Sequence, residues 1–482
     1  MNILIGALFL SIWHSILFWN QKIGISAILF AIPVIYITIK LLKEKTENPK
    51  SLLISIPILL LSSTYFIFDN PVFKKLNIIV IPILYVIMII VATSKTPLKS
   101  LISKILLMIL EPVNYFGEVF NKIKNEFMKK FNMQKREKEE KERQNIVKAV
   151  FFTIVIVLVV LGLLISADQE FADLFINIME VIRGFSIPTF IIRIGVIILL
   201  FFYIASFFIN MLSKYNVLNE YDEEKTEAKE SLTIYMMLSA LNIIYLVFCY
   251  IQIKSLFTIE NIKYSTYARQ GFFQLMIVSL INITMILKAT SKNLLETEKQ
   301  QKYKKIMCIL MILFTFIIII SSFIRMSLYQ QNYGDTRLRV LVKFTLITEI
   351  VLLIPTVIYI IKSKINLGKS YFIIITTMYC IINFTNIDNM IAKNNINRYI
   401  ETGKIDLHYL TYELNSTDTI KQLKRLEETE FKYTKHEQER KNKKEQLDTY
   451  LLYKTHQLNE DITWSEFNLS RFINKLYLGG SN

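Results

Sequence analysis

The stretch KIMCILMILFTFIIIISSFIRMS, residues 305–327, has the length and composition of a membrane-spanning helix. It is almost continuously apolar, and about 20 such residues in a helix cross the ~30 Å hydrocarbon layer of a bilayer. The surrounding chain has the same character, because 53% of its 482 residues are hydrophobic and its mean hydropathy is +0.39. Soluble domains contain about 45–50% apolar residues. The sequence therefore predicts an integral membrane protein.

Glycine and proline are scarce, at 12 and 9 residues, which favours long helices over turn-rich strands and excludes a membrane β-barrel. We expect an all-α, polytopic helical bundle of about eleven transmembrane helices, with a small helical C-terminal extracytoplasmic segment. The predicted spans are 3–19, 23–42, 51–68, 76–93, 149–166, 187–212, 232–252, 270–290, 305–327, 338–361 and 370–386. Residues 101–116 are shorter and contain Lys104, Glu111 and Pro112, so an interfacial helix is predicted there.

Lysine and arginine set the expected orientation, because they accumulate in cytoplasmic loops. One alternating set of connections carries 29 of these residues and the other carries 10. This bias predicts a cytoplasmic N-terminus and a C-terminal segment outside the membrane. Heavy use of Ile, Lys and Asn indicates a bacterial genome rich in A and T, so the expected location is the bacterial cytoplasmic membrane.

The predicted spans and charge runs divide the chain into four consecutive segments. They are an N-terminal transmembrane block, 1–93; an interfacial helix and basic cytoplasmic linker, 94–148; a main transmembrane block, 149–386; and the outward-facing helical segment, 387–482. The charged run Lys122–Lys148 is either a solvated helix or a contact for anionic lipid or a partner protein. Its interleaved glutamates argue against nucleic acid binding.

Three stretches on the predicted outer side carry the candidate site. They read YSTYARQGFF at 264–273, YGDTRLRV at 333–340 and NFTNIDNMIAKNNINRY at 383–399. Helix N-termini and guanidinium groups together attract anions. The candidate ligand-binding residues are Arg269, Gln270, Arg337, Arg339, Asp388, Asn389 and Arg398.

Two interpretations of this cluster remain open at the level of the sequence. The arginines bind an anionic ligand, such as a lipid headgroup or an envelope precursor, in transport or sensing. Alternatively, Asp335 and Asp388 neutralise them in a structural network.

Glu349, near the middle of its span, is either an ion-coupling carboxylate or a packed one. An envelope enzyme using Asp388 or Glu349, and a scaffold or regulatory subunit with a membrane protein partner, are the alternative functions.

No metal or cofactor is expected. The three cysteines all lie in apolar runs, and the four histidines are scattered without ligand spacing.

Four ordered motifs carry a resemblance to a known family: YARQGFF, YGDTRLR, NIDNMIAKNNINRY and WSEFNLSRF, the last at Trp464–Phe472. Over roughly 255–475 the chain resembles a family of bacterial polytopic membrane proteins, the domain of unknown function 4173, which is related to number 4153. In that family a leucine usually occupies the position of Asp335, so an acidic residue beside Arg337 is a departure. The resemblance implies an integral membrane protein without an established activity, whose C-terminal tail folds back against the outer cluster.

Overall fold

The structure is a computed structural model that describes residues 3–43, 46, 48–94, 101–131, 173, 189–213, 231–257, 272–290, 297–362 and 365–479. All regular secondary structure within these ranges is helical. This confirms the predicted all-α fold.

Twelve helices precede the C-terminal segment in the described ranges. They are α1 Ile3–Phe18, α2 Ser26–Leu42, α3 Ser55–Ile67, α4 Pro71–Thr93, α5 Leu101–Leu110, α6 Phe116–Phe131, α7 Thr189–Ser213, α8 Ser231–Phe257, α9 Phe272–Ala289, α10 Glu298–Tyr333, α11 Arg337–Lys362 and α12 Leu367–Phe384. Short 3-10 turns at Pro49–Ile54 and Glu111–Tyr115 lead into α3 and α6.

Seven helices of the described chain are long and apolar enough to cross a membrane. Shorter apolar helices occupy Ile3–Phe18, Ser26–Leu42 and Gln274–Ala289, where three further spans are expected. The expected span at 149–166 lies outside the described residues. A multi-pass membrane protein is therefore supported, and the count of eleven stays a prediction. At 101–116, α5 has only 10 residues before a 3-10 turn, too few to cross the hydrocarbon layer.

The chain divides into two compact units by its internal contacts. The first unit comprises Met1–Phe66, Leu76–Glu223 and Ile462–Phe467, and the second comprises Ile67–Lys75, Glu224–Asp461 and Asn468–Asn482. These units group distant stretches of sequence, so they describe packing and not chain order. The four consecutive segments defined from the sequence remain a prediction.

In the first unit, α1 packs along α7, and α2 packs against α1. Arg193 of α7 donates hydrogen bonds to the hydroxyl and carbonyl oxygens of Ser15, at 2.8 and 3.1 Å. The short segment Ile462–Phe467 also belongs to this unit, and the Ile25 amide donates to the carbonyl of Phe467 at 3.0 Å. Arg193 lies within an expected span, and polar groups of the neighbouring helix α1 thus accept hydrogen bonds from it.

In the second unit, α10 is the central helix and packs against α8, α9 and α11. Its 36 residues extend for ~54 Å, well beyond the hydrocarbon layer. Thr297 and Gln300 begin it with a reciprocal capping box, which satisfies backbone amides that have no partner inside the helix. The hairpin of α10 and α11 turns sharply at Gly334–Thr336, and this turn positions the candidate site.

The C-terminal segment forms four further helices, all of which belong to the second unit. They are α13 Ile387–Thr402, α14 Ile420–Glu428, α15 Glu437–Asn459 and α16 Leu469–Gly479. α13, α14 and α15 enclose a core that includes Ile391, Tyr399, Leu423 and Leu447, each fully buried. The segment therefore has a hydrophobic core, and its helices are not a loose polar tail.

Candidate functional site

A buried ion pair joins the start of α11 to the first turn of α13. Arg337 donates from Nε and Nη2 to the two carboxylate oxygens of Asp388, at 2.7 and 2.8 Å. Asp388 is fully buried, and the side chain of Arg337 is 12% exposed. This parallel two-bond geometry is the strongest form of an arginine–carboxylate contact.

Two further donors of Arg337 bond to the chain that follows α13. Its guanidinium also donates to the carbonyl oxygens of Glu413 and Leu414, which lie at the end of a single π-helical turn, Tyr409–Glu413. Carbonyls at a helix end have no partner inside the helix. The Arg337 amide donates to Tyr409 Oη at 2.7 Å, and burial raises the pKa of this phenol. Four of the five guanidinium donors of Arg337 thus bond within the structure.

Arg339 and Arg398 have a different environment, because carbonyl oxygens and an aromatic ring hold them. Arg339 lies over the ring of Tyr329, 4.3 Å from its centroid, and donates to the carbonyls of Tyr333 and Gly334. Arg398 donates to three carbonyls, those of Gln331, Asn332 and Lys404.

The hydrogen bond acceptors of both guanidinium groups are neutral, and Asp335 is the carboxylate whose charge acts on Arg398. Burial and the neighbouring charge of Arg339 lower the pKa of Arg398, although an arginine stays protonated in proteins. This mutual repulsion marks a region of excess positive potential, which attracts an anion.

Asn395 fixes the turn between α10 and α11. Its side-chain oxygen accepts from the Asp335 amide at 2.8 Å, and its side-chain nitrogen donates to the Asp335 carbonyl at 2.9 Å. Gly334 has φ +81°, a conformation that glycine adopts readily, and a Cβ there would overlap Asn395 Oδ1. The turn and α13 therefore form one interlocked element.

Asn389 also acts in packing. Its side-chain oxygen accepts from Gln422 Nε2 at 3.1 Å, which joins α13 to α14. Its backbone amide donates to Asn386 Oδ1 at 3.2 Å, so Asn386 caps α13. Both contacts stabilise the helices of the C-terminal segment.

A cavity of about 840 Å³ opens beside this interlocked turn, and we call it the polar cavity. It is lined by Ser327, Gln330, Gln331, Gly334, Asp335, Val340, Lys343, Phe344, Ile347, Ile382, Thr385, Met390, Asn394, Asn395, Asn397, Arg398, Glu401 and Thr402. Amide and charged groups lie mainly at the helix ends and on α13, whereas Phe344 and Ile347 lie farther along α11, and Ile382 adds an apolar side chain near the end of α12. The lining thus changes from polar to apolar.

The structure brings together five of the seven candidate residues and gives them different roles. Arg337 and Asp388 pair with each other, Asn389 joins two helices, and Arg339 supports the turn. Of these five, Arg398 lines the polar cavity. Arg269 and Gln270, with most of the stretch Tyr264–Phe273, lie outside the described residues.

Lys343 is a charged cavity residue that sequence reasoning did not select as a ligand. Its ammonium lies 4.8 Å from the centroid of the Phe323 ring, and it forms no salt bridge with any described residue. The sequence signal was a lysine near the start of an apolar span, which predicts a side chain that either extends to the membrane surface or forms a pair.

A second polar cluster ties the C-terminal segment to the connection between α3 and α4. The Asp69 amide donates to both carboxylate oxygens of Asp418, at 3.3 and 3.1 Å. Thr417 Oγ1 and Lys74 Nζ donate to the Asp69 carboxylate, and Ser470 Oγ donates to Asp418. Sequence reasoning missed this cluster, because Asp69 and Asp418 are 349 residues apart.

The two carboxyl groups of this cluster titrate in opposite directions. Burial alone would raise the pKa of Asp69, but the charge and hydrogen bond of Lys74 lower it below its ordinary value. Burial and the nearby Asp69 charge raise the pKa of Asp418 to about 6. One carboxyl therefore holds the ion pair with Lys74, and the other gains a proton readily.

In the described part of the chain, no group of three or more His, Cys, Asp or Glu side chains is placed to hold a metal ion. The polar groups that line the polar cavity are instead amides, hydroxyls, two carboxylates, a lysine and an arginine. Such groups bind ligands through hydrogen bonds and charge.

Comparisons with known proteins bear on the family. A family model described as "Domain of unknown function (DUF4153)" matches residues 55–426, well over half of the chain. No curated protein and no solved structure matches the chain. The match confirms the expected relationship to number 4153, and the resemblance to number 4173 stays a prediction. The range matched by the family model begins before the first of the four motifs that carry the resemblance. It includes α3, α4 and the residues of the polar cavity. The chain belongs to the family of the domain of unknown function 4153.

Proposed function

We propose that this membrane protein binds a phosphate-bearing headgroup, of an anionic lipid or of a lipid-linked envelope precursor, in the polar cavity. Binding serves transport or sensing in the bacterial cytoplasmic membrane, with the cavity on the outer side. The observation that carries the proposal is that Lys343 and Arg398 line one cavity, and neither forms a salt bridge with a described residue.

The charges around the cavity favour an anion. Arg339, Lys343 and Arg398 are three cations in or beside it, and Asp335 and Glu401 are its two carboxylates. Asn394 already donates to Asp335, at 2.8 Å. One positive charge remains in excess, in a concave and partly water-excluded site where electrostatic attraction is stronger than in water.

The arrangement of the lining favours a lipid as the carrier of that anion. Phe344 and Ile347 follow Lys343 on α11, and Ile347 lies ~15 Å from the start of the helix at 1.5 Å per residue. A headgroup with its phosphate near Lys343 would therefore leave its hydrocarbon chain against apolar side chains. The volume of about 840 Å³ lies within the ~300–1,000 Å³ of known ligand sites.

The same contacts argue against an enzyme that uses Asp388 as an acid or base. That carboxylate is fully buried and accepts both of its strong hydrogen bonds from Arg337. A substrate has no access to it without breaking the ion pair.

The experiment compares lipid binding by the full-length protein and by K343Q in nanodiscs that contain defined fractions of anionic phospholipid. Lys343 is the preferred position, because it lies over the Phe323 ring and forms no salt bridge with a described residue, although the charge of Asp335 acts on it. Loss of one charged contact to a phosphate predicts about tenfold weaker binding. K441Q is the matched control, because Lys441 pairs with Glu437 on an exposed surface.

The arms of the experiment separate the possible ligands. A polyprenyl phosphate that competes better than phosphatidylglycerol identifies an envelope precursor, and the reverse identifies a membrane lipid. Equal binding of anionic and zwitterionic lipids, unchanged in K343Q, would refute the proposal. Recovery of a stoichiometric protein partner together with such equal binding would instead favour a scaffold or regulatory subunit.

A further inference from the structure

Glu349 lies in the middle of α11, deep in the apolar bundle of the second unit. It follows the start of the helix by 12 residues, which corresponds to ~18 Å along the axis, and its side chain is 1% exposed. Leu346 and Leu353, about one turn before and one turn after Glu349 on the same helix, belong to the buried hydrophobic core. A carboxyl group here is far from either end of its helix.

The contacts of Glu349 suit a neutral carboxylic acid. Its Oε2 lies 2.5 Å from Ser279 Oγ, whereas its Oε1 is buried and has no hydrogen bond partner. An ionised carboxylate offers about four acceptor positions. A single hydrogen bond leaves most of them unsatisfied, and a buried charge in that condition is very costly.

Ser279 provides an independent argument about where the proton lies. Its hydroxyl is also 2.7 Å from the carbonyl oxygen of Met276, and a carbonyl can only accept. Because a hydroxyl has one proton, Ser279 can donate to only one of these two oxygens. When it donates to Met276, the contact with Glu349 requires a proton on the carboxyl group.

No described cation compensates a charge on Glu349. The helices that pack against α11 are α9, α10, α12 and α13. Titratable or charged side chains on these helices include Lys288, Cys308, Arg325, Tyr329, Tyr371, Tyr379, Cys380, Asp388 and Arg398, together with Lys343 and Tyr359 on α11 itself. Glu349 forms a hydrogen bond or salt bridge with none of these residues.

Further polar groups lie one helical turn along α9. Asn282 is three residues after Ser279, so both side chains lie on one face of the helix. Asn282 accepts from Tyr245 Oη at 2.6 Å and donates to Thr315 Oγ1 at 3.0 Å. Buried polar side chains therefore lie at two successive turns of α9, at Ser279 and at Asn282, inside an otherwise apolar bundle.

We propose that Glu349 is a proton-binding site in the middle of the membrane-spanning bundle. In the arrangement observed, the carboxyl group carries the proton and is neutral. Release of that proton leaves a carboxylate that one hydroxyl cannot compensate, so release favours a rearrangement that brings water to Glu349. Proton binding and helix packing are thereby linked. This inference is independent of the headgroup proposed for the polar cavity.

The test uses the full-length protein in liposomes with dicyclohexylcarbodiimide, an apolar reagent that modifies protonated carboxyl groups in membranes. Peptide mass spectrometry locates the adduct. We expect modification of Glu349 at neutral pH, its loss in E349Q, and its retention in E437Q, because Glu437 is 81% exposed and lies outside the polar cavity. Unmodified Glu349 in the folded wild-type protein would overturn the proposal.

Two further readouts keep the proposal falsifiable if E349Q does not fold. The infrared spectrum of the wild-type protein should contain the carbonyl band of a protonated carboxylic acid, and alkaline pH should remove it reversibly. Absence of that band would contradict the proposal. Protection from the carbodiimide by Na⁺ at constant pH would also overturn it, because the carboxyl group would then be part of a sodium site.

Discussion

Arg337 and Asp388 bind each other through two parallel hydrogen bonds of 2.7 and 2.8 Å, and this pair divides the arginine cluster into two roles. One arginine is neutralised and buried as part of the structure. Arg398, which also belongs to the cluster, is held by carbonyl oxygens and lines the polar cavity with Lys343. The cluster is therefore both a structural network and a candidate binding site, with different residues in each part.

Substituting D388N should strongly destabilise the second unit, because it leaves the charge of Arg337 buried without a counter-charge. Breaking a buried pair in this way costs about 3–5 kcal/mol. Thermal unfolding of the purified protein should shift to clearly lower temperature. E437Q is the control, since Glu437 is 81% exposed in its pair with Lys441 and such pairs contribute less than about 1 kcal/mol. Equal effects of the two substitutions would contradict this role of Asp388.

Substituting Y409F should destabilise the start of α11. The phenol oxygen accepts the backbone amide of Arg337, and an amide without a partner in a buried site costs about 1–3 kcal/mol. Chemical denaturation of wild-type and Y409F protein measures the difference. Y412F is the matched control, because Tyr412 is 53% exposed and should tolerate the change. An unaltered midpoint in Y409F would show that water or another group replaces the phenol.

Substituting G334A should destabilise the turn between α10 and α11. A Cβ would overlap Asn395 Oδ1, and φ is +81°, so a cost of about 1–3 kcal/mol is expected. The same substitution at Gly195 provides a control with the opposite expectation. No atom lies within 4 Å of a Cβ there, and alanine favours a helix over glycine by about 1 kcal/mol. Unfolding temperatures that fall in G334A and do not fall in G195A would confirm the strain at the turn.

Raising the pH from 4.5 to 7 should reduce the contribution of Asp418 to stability. The pKa of Asp418 rises from its ordinary 3.8 to about 6 in the folded protein. The stabilisation by its neutral form is fully present below pH 3.8 and is lost as the pH passes through about 6. A shift of about two units corresponds to about 3 kcal/mol.

D418N isolates this effect from other titrating groups. Asp69, whose pKa is lowered, is mostly ionised in both folded and unfolded states across this window and adds little slope. Subtracting the unfolding free energy of D418N from that of the wild type should therefore give a difference that falls with pH. A flat difference would mean that Asp418 is ionised throughout.

The sequence is sufficient to predict the membrane-spanning helices, because each expected span in the described ranges is a predominantly apolar run. It also narrows the site, since Arg337, Asp388 and Arg398 follow helix ends expected on one side of the membrane. Which arginine pairs with Asp388 depends on packing. The single π-helical turn at Tyr409 and the Asp69–Asp418 contact are determined by tertiary structure, and no local pattern indicates them. Lys343 is recognisable as a ligand candidate only once the cavity is known.

The most direct test of the account is an experimental structure of the protein in nanodiscs rich in anionic phospholipid. The prediction is density for a phosphate in the polar cavity near Lys343 and Arg398, with a hydrocarbon chain along Phe344 and Ile347 and with Arg337 still paired with Asp388. A cavity that contains only water, or a phosphate bound to Arg337 in place of Asp388, would contradict it.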